Sequence, residues 1–401
     1  MKWVVKNDNQ RVTIKSWCEH VEEGAMQQAI NLACHPAVER HVALMPDCHV
    51  GYGMPIGGVI ATRHAVLPSA VGVDIGCGMI AVQTDIPAKK MEAMPDRRNL
   101  LGALKERIPV GEGVSHKYAQ EWEGFEEYLD RNGKVCDFPN QLDRKNLGTL
   151  GGGNHFIELQ TSEDGFIWLM VHSGSRNLGQ RVEKHYQAIA KKLNASFKVK
   201  LPDPELAFLP MDTQEGRDYF RDMMFALDYA LENRRRMMAA FKQTISDIFP
   251  KASFLQEINI HHNYAAQEKH HGEDFIIHRK GATSAKKGEL GIIPGSMGTA
   301  SYIVRGLGNP ESFNSCSHGA GRRMGRMEAN RTLTMEECDA AMEGIAFDRW
   351  SKYKGFGKRQ KGQMDFSEAP QAYKLIDEVM AAQDDLVEPI VRLTPLAVLK
   401  G

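Results

Sequence analysis

The stretch Val71-Gly-Val-Asp-Ile-Gly-Cys-Gly78 constrains this chain more than any other. It places a carboxylate, Asp74, and a thiol, Cys77, three residues apart, with Gly72, Gly76 and Gly78 leaving the backbone free to turn both side chains towards one point. A hard and a soft donor so arranged can begin a transition-metal site if imidazoles arrive from elsewhere, and the 401-residue chain carries 15 histidines. Read alone, the octapeptide fits a glycine-rich turn with a buried cysteine equally well. The decision rests on the other segments.

Similar punctuation recurs along the chain. Val42–Met45 reads as a short buried strand delivering the loop Pro46–Gly58, with Asp47 and His49 as its functional groups, or as a turn cap and a surface histidine. Leu147–Glu158 sets three glycines before Asn154 and His155 and puts Glu158 on a strand. The apolar strand Phe166–Val171 opens into His172-Ser-Gly-Ser-Arg176 and a helix over 177–193, an arrangement suited to an anion with Arg176 assisting. Phe254–Ile260 delivers His261 and His262, and a further strand, Asp274–His278, precedes the basic residues Arg279, Lys280, Lys286 and Lys287, read as a phosphate-contacting patch. Pro294-Gly-Ser-Met-Gly-Thr299 is another loop of small residues and backbone donors. His318 sits among glycines and is followed by Arg322, Arg323 and Arg326, so it is a candidate covalent nucleophile at phosphorus or a hydrogen-bonding group in a phosphate site.

The remaining segments supply framework. Strands are predicted at Trp3–Val5, Val12–Ile14 and across the end of the chain from Leu386, and helices at 22–33, 99–107, 118–132 and, as one or two pieces, 218–249. Tyr118, Trp122, Phe125 and Leu129 form one apolar stripe, and Phe220, Met223, Leu227, Leu231 and Met238 another, both read as core. The run Asn233–Arg236 reads as a solvated helix end. With 42% hydrophobic residues the chain can bury a large core, and candidate ligands spread from residue 47 to 318 fit one integrated domain over 1–401. A net charge of −1 leaves any nucleic acid to be met by a local basic patch. Seven cysteines without a C-x-x-C, no apolar run of membrane length and no secretory signal at Met1–Asp8 point to a reducing, cytoplasmic setting.

Together the segments from Asp47 to Gly57, Gly72 to Cys77, Gly151 to Phe156, His172 to Arg176, His262-Asn263, Pro294 to Gly298, His318 to Arg322 and Lys400-Gly401 resemble, in order and at full length, the RtcB family of GTP-dependent RNA ligases. The resemblance implies a mixed α/β (α+β) fold, β-sheets flanked by helices around a polar metal-containing cleft, with two manganese ions per active site. It implies joining of RNA 2',3'-cyclic phosphate or 3'-phosphate ends to 5'-hydroxyl ends, in tRNA splicing or RNA repair. Residue by residue, Cys77 would bridge the metals, with Asp74 and His155 completing one and His172 and His262 the other. His318 would carry guanylate. Asn154, Glu158, Pro294, Gly295, Ser296, Met297, Ser301, Gly319, Ala320, Gly321 and Lys400 would bind GTP or GMP, and Asp47, Arg176, Lys280, Arg322 and Arg326 would contact phosphate or RNA. A monomer, with an archease-like activator as a further partner, belongs to the same expectation. Ser284, Gly325 and Leu375 depart from the family's usual arginine, serine and aspartate and bear on the choice of RNA. The competing reading is a two-metal phosphoesterase acting on RNA ends without GTP, which would have no use for His318 or Lys400.

Overall fold

The computed structural model describes residues 1–132, 138–352 and 364–401. Its framework is two large sheets. One has six strands in the order Trp3–Val5, Thr13–Ser16, Val38–His49, Ile56–Thr62, Glu273–Lys280, Asn263–His270. The other has eight: Phe254–His261, Gly78–Pro87, Phe166–Ser173, Phe156–Ser162, Val387–Lys400, Ser301–Gly306 and Leu290–Ile293 along one path, with Ala346–Phe347 beside the long last strand. Among the described residues no helix is long and apolar enough to cross a membrane.

Period-2 alternation explains how the eight-stranded sheet is buried on both faces. Ile80, Val82, Leu169 and Val171 point to the face covered by the Gln214–Ile248 helix, through its Met237, Met238, Phe241 and Ile245. Their strand neighbours Met79, Ala81, Trp168 and Met170 point the other way, into a cluster with Ile292, Met297 and Val398. The 35-residue helix starts where Thr213 caps the Gly216 amide, and its first half packs on the Leu178–Ser196 helix through Tyr219, Met223 and Ala226.

Several expected boundaries move. Val42–Met45 is the middle of a strand that runs from Val38 to His49, so Asp47 and His49 belong to a strand end and not to the loop. Asn263–His270 is a strand the sequence did not announce, because it lies at a sheet edge and its second half, Gln267-Glu-Lys-His270, is a polar run without apolar alternation. Tyr118 is exposed and precedes the helix, which begins at Glu123, whereas Trp122, Phe125 and Leu129 join the core as expected.

Candidate active site

His262 is the single residue between the last strand residue of one large sheet, His261, and the first of the other, Asn263. The seam between the sheets is where the metal-capable side chains meet, and strand register brings them there. His261 lies opposite Gly78, and the His262 amide donates to the Cys77 carbonyl at 2.9 Å. Met79 lies opposite His172, which lies opposite Phe156 on its other side, and His155 directly precedes that strand. The approach at Gly78 is so close that a Cβ there would lie 2.0 Å from the Ile260 carbonyl oxygen, so only glycine fits.

Two triads result, Cys77 with His172 and His262, and Cys77 with Asp74 and His155, their donor atoms within 4.8 Å of one another in each. Cys77 Sγ lies 3.2 Å from His172 Nε2 and 3.6 Å from His155 Nε2; His155 Nε2 is 3.2 Å from Asp74 Oδ2, and the Nε2 atoms of His172 and His262 are 3.4 Å apart. His155 Nδ1 faces the Leu150 carbonyl at 3.0 Å and His172 Nδ1 the Asn154 carbonyl at 3.1 Å. Each backbone oxygen selects the Nδ1–H tautomer and leaves the Nε2 lone pair pointing into the cluster. Burial and the neighbouring histidine and Arg234 charges hold His262 well below the ordinary imidazole range, as burial does His172, so both stand neutral and able to ligate. Burial, then Asp74, pushes the Cys77 thiol up, which a cation at the sulfur would reverse. Thiolate, imidazole and carboxylate donors in two triads with one shared sulfur fit a pair of transition-metal ions.

Two residues of the long helix hold this centre, and the sequence placed both wrongly. Asn233 and Arg234 are buried, not a solvated end. Asn233 Oδ1 accepts from the Gly148 and Thr149 amides at 2.7 and 3.1 Å, and its amide group donates to the Thr149 and Gly174 carbonyls. Arg234 donates to the carbonyls of Gly76 (2.8 Å) and Ser173 (3.1 Å) and to Asn259 Oδ1, bracing three of the four segments that carry the ligands, all but that of His155. The sequence carried no signal for them, because they sit in the charged run Glu232–Arg236.

Beside the centre lies an open cleft of about 860 Å³. Its lining includes Asn154, Phe156, His172, His262, Pro294, Gly295, Ser296, Met297, His318, Gly319, Ala320, Gly321, Arg322, Arg326, Tyr373 and Lys400. The His318 and His262 ring centroids are 4.9 Å apart, so the expected nucleophile and the metal-capable triads share one space. Glu158 and Ser301, expected to touch the nucleotide, lie one layer behind it. Gln160 bridges them at 2.7 and 3.1 Å, and the Gly295 amide approaches Ser301 Oγ at 3.3 Å, so the pair shapes the Pro294–Met297 loop from beneath. Burial raises the Glu158 carboxyl to about 8, against the lowering effect of Lys400.

Two of the expected RNA contacts are corrected. Asp47 has no exposed side-chain surface; its Oδ2 faces His318 Nδ1 at 2.6 Å and accepts the His318 amide at 3.1 Å. Lys280 is buried, donates to the Tyr52 and Ser69 carbonyls and is brought down to about 7 by burial, so it clips the Asp47–Gly58 segment to the chain entering the metal loop. Its neighbour Arg279 is likewise buried, paired with Glu268 at 2.6 and 3.0 Å, and the exposed members of that basic run are Lys286 and Lys287. Arg176 keeps its place at a cleft rim: it lines a second opening onto Asp74 and His155 together with Arg326, in a left-handed backbone conformation, φ 54°. Arg322 lines the His318 cleft, but its guanidinium is spent on the Met324 and Ser367 carbonyls, Glu368 and Tyr373. Glu368, which contacts Arg322, Arg326 and Lys400, was not singled out by any spacing in the sequence.

A sulfur shared by two metal-capable triads, one of whose imidazoles, His262, lies beside the aspartate-held His318 in an open cleft, defines the class: a metal-dependent enzyme of phosphoryl transfer. The comparisons give the family. A family model described as tRNA-splicing ligase RtcB matches residues 28–401, and the chain belongs to the RtcB family of RNA ligases. It is 39% identical to an RNA-splicing ligase RtcB of Escherichia coli K12, with 97% of each chain covered, and 40% identical to an RNA-splicing ligase RtcB1 of another E. coli strain, ATCC 25922, at the same coverage. A tRNA-splicing ligase RtcB of Methanococcus maripaludis is 30% identical over 96% of this chain and 92% of its own. RNA ligation is the activity this membership supports, and the phosphoesterase alternative is not favoured.

Proposed function

We propose that this chain joins an RNA 3'-phosphate or 2',3'-cyclic phosphate end to a 5'-hydroxyl end, using GTP and a covalent guanylate on His318. The observation that carries the reading is the 2.6 Å pair of Asp47 Oδ2 and His318 Nδ1, at the floor of a cleft that also reaches the metal-capable cluster. With the Nδ1 proton held by Asp47, His318 presents a neutral Nε2 lone pair, the form in which an imidazole attacks phosphorus. The α-phosphorus of GTP is the electrophile and pyrophosphate the leaving group. The guanylate then passes from Nε2 to the RNA 3'-phosphate, and attack of the 5'-hydroxyl at that phosphorus expels GMP. A cyclic end is first hydrolysed: water adds at phosphorus, the bond to the 2'-oxygen breaks, and a 2'-hydroxyl and a 3'-phosphate result.

Residues of the chain prepare these steps by position. Phe156 and Tyr373 give the cleft aromatic walls, the amides of Gly319, Ala320 and Gly321 supply donors near His318, and Lys400 offers a donor for a base carbonyl. Cys77 with Asp74 and His155, and Cys77 with His172 and His262, would hold two divalent cations, assigned as manganese, which when bound neutralise charge on a transferring phosphoryl group. Arg176 and Arg326, on the second opening, suit the backbone of the incoming RNA strand. A monomer, aided by an archease-like activator and working in the cytoplasm, where Cys77 stays reduced, completes the reading.

The test is covalent labelling. Protein incubated with manganese and α-phosphate-labelled GTP should acquire an acid-labile, base-stable phosphoramidate that His318→Ala lacks. Joining of RNA ends by a wild-type protein that never takes the label, or equal labelling of His318→Ala, would overturn it.

A further inference from the structure

One carboxylate organises the end of the cleft away from the metal-capable cluster. Glu368 Oε1 accepts from Arg322 at 3.2 Å and Arg326 at 3.3 Å, and Oε2 accepts from Lys400 at 3.2 Å and from the Tyr373 hydroxyl. These partners come from the loop after His318, the first turn of the Arg326–Thr332 helix, the segment before the Ile376–Ala381 helix and the last strand. All four line the same cleft as His318. Only 12% of the Glu368 side chain is exposed. Burial alone would raise its carboxyl, but Lys400, Arg326 and Arg322 bring it down to about 2, so it is a fixed anion at every working pH.

The partners depend on it unequally. Arg322 has two backbone carbonyls of its own, those of Met324 and Ser367, and is held whether or not Glu368 is charged. Lys400 has no other hydrogen-bond acceptor among the described residues; its other neighbours are the Phe156 ring, 5.7 Å from Nζ, and the buried Glu158 carboxyl, which it lowers without a hydrogen bond. Arg326 is 55% exposed and likewise meets only Glu368 as a hydrogen-bond acceptor among those residues. A lysine on a flexible four-carbon stem, at the last position of the Val387–Lys400 strand, has no other hydrogen bond to fix where its ammonium points.

We infer that Glu368 is a positioning residue that sets base specificity: it fixes Lys400 to read a base carbonyl and keeps the adjoining arginines from making this end of the cleft a general polyphosphate site. The inference rests on the guanylylation of His318 proposed above. The physical reasoning is that a donor held in one place discriminates between a base carrying a carbonyl and one carrying an amino group there, whereas a mobile ammonium does not. Three cations around one carboxylate leave two positive charges; around a neutral amide they leave three, and the excess attracts any nucleoside triphosphate through its phosphates, whatever its base.

The experiment measures initial rates of covalent nucleotidylation with labelled GTP and labelled ATP for wild type, E368Q, E368D, K400M and E368Q/K400M. E368Q should narrow the preference for GTP over ATP at least tenfold, chiefly through a higher KM for GTP, with a smaller change in kcat. E368D, whose shorter stem draws the carboxylate away from Lys400 Nζ, should narrow the preference as well, by a smaller factor, and carries the comparison if E368Q does not fold by thermal melting. Because Glu368 is argued to act through Lys400, the double variant should discriminate no worse than K400M alone. Wild-type preference in E368Q, or in E368D where that variant carries the comparison, overturns the inference, as do E368Q and K400M losses that multiply. A wild type that accepts no guanylate removes the reading beneath it as well, whereas a labelled wild type with an unaltered E368Q removes this inference alone.

Discussion

Asp47 Oδ2 holds His318 by both its ring and its backbone, 2.6 Å from Nδ1 and 3.1 Å from the amide nitrogen. One carboxylate oxygen therefore fixes the tautomer, the ring plane and the main chain of the same residue. The aspartate comes from the end of the Val38–His49 strand and the histidine from the loop after Ser315–Ser317, so the relation depends on tertiary packing.

Asp47→Asn tests that relation directly. The amide is nearly isosteric but can present a donor to Nδ1, which would place the imidazole proton on Nε2 and remove its lone pair from the cleft. Guanylylation should fall by about two to four orders of magnitude, the scale known when a histidine-orienting aspartate is neutralised. RNA already carrying guanylate on its 3'-phosphate bypasses the step, so its sealing to a 5'-hydroxyl strand should be much less affected. Equal loss in the two assays would mean that Asp47 serves more than His318.

Cys77 is the only donor common to both triads. Cys77→Ser exchanges a polarisable thiolate for a hydroxyl that stays protonated at neutral pH, and should weaken binding of both ions, where His155→Ala or His262→Ala should chiefly weaken one. Metal titration followed by elemental analysis distinguishes these patterns. Full occupancy in Cys77→Ser would show that the sulfur is not shared.

What the sequence disclosed was local chemistry. The loops at Gly72–Gly78, Gly151–His155, Pro294–Gly298 and Gly319–Gly321 announced themselves because glycines and functional side chains lie a few residues apart, and the cleft gathers them. What it concealed was pairing over long distances. Asp47 read as a turn cap or a phosphate contact until His318 arrived from 271 positions away, and Arg279 looked like a phosphate contact because its partner Glu268 sits on an edge strand with little apolar patterning. Asn233 and Arg234 were misread for the same reason: a charged run in a helix is usually solvated, and only the packing of that helix against the metal loop turns it inward.

The buried Glu158 gives the free protein a pH signature. Its carboxyl is raised to about 8 from an ordinary 4.5, so the fold accommodates the neutral form. A raised folded-state value means that the contribution is fully present below about pH 4.5 and is lost as pH climbs through 8. Glu158→Gln keeps the shape without the ionisation. Its stability relative to wild type should therefore improve with rising pH, by up to roughly 5 kcal/mol at about 1.4 kcal/mol per unit, and level off above pH 8. Thermal unfolding of metal-free protein at pH 5 and pH 9 measures it; a difference that does not change between them would place Glu158 ionised in the fold.

Arg234 should be the most sensitive support behind the metal-capable centre. Arg234→Met fills similar volume but leaves the Gly76 and Ser173 carbonyls and Asn259 Oδ1 without their donor. The cost expected for stranding such buried acceptors is about 2–4 kcal/mol of stability, and loosened ligand segments should weaken metal binding by about 10–100-fold. Calorimetry of metal binding alongside thermal melts checks both. Lower stability with unaltered metal affinity would mean that the brace serves the core and not the site.

The corrected place of Lys280 separates it from Arg176 in an RNA-binding experiment. A side chain that neutralises an RNA phosphate releases counterions, and losing it reduces the slope of log affinity against log salt by about 0.7 for a single strand. Arg176 lines the rim of the second opening, so Arg176→Ala should weaken binding of a 5'-hydroxyl oligonucleotide and flatten that slope. Lys280 spends its ammonium on the Tyr52 and Ser69 carbonyls within the fold. Lys280→Met should therefore leave the salt slope unchanged while lowering thermal stability, because two buried carbonyls lose their shared donor and the segment carrying Asp47 is no longer tied to the one entering the metal loop. Fluorescence anisotropy over a range of salt concentrations resolves the two cases. A slope that falls in Lys280→Met as much as in Arg176→Ala would return Lys280 to the RNA-contacting surface.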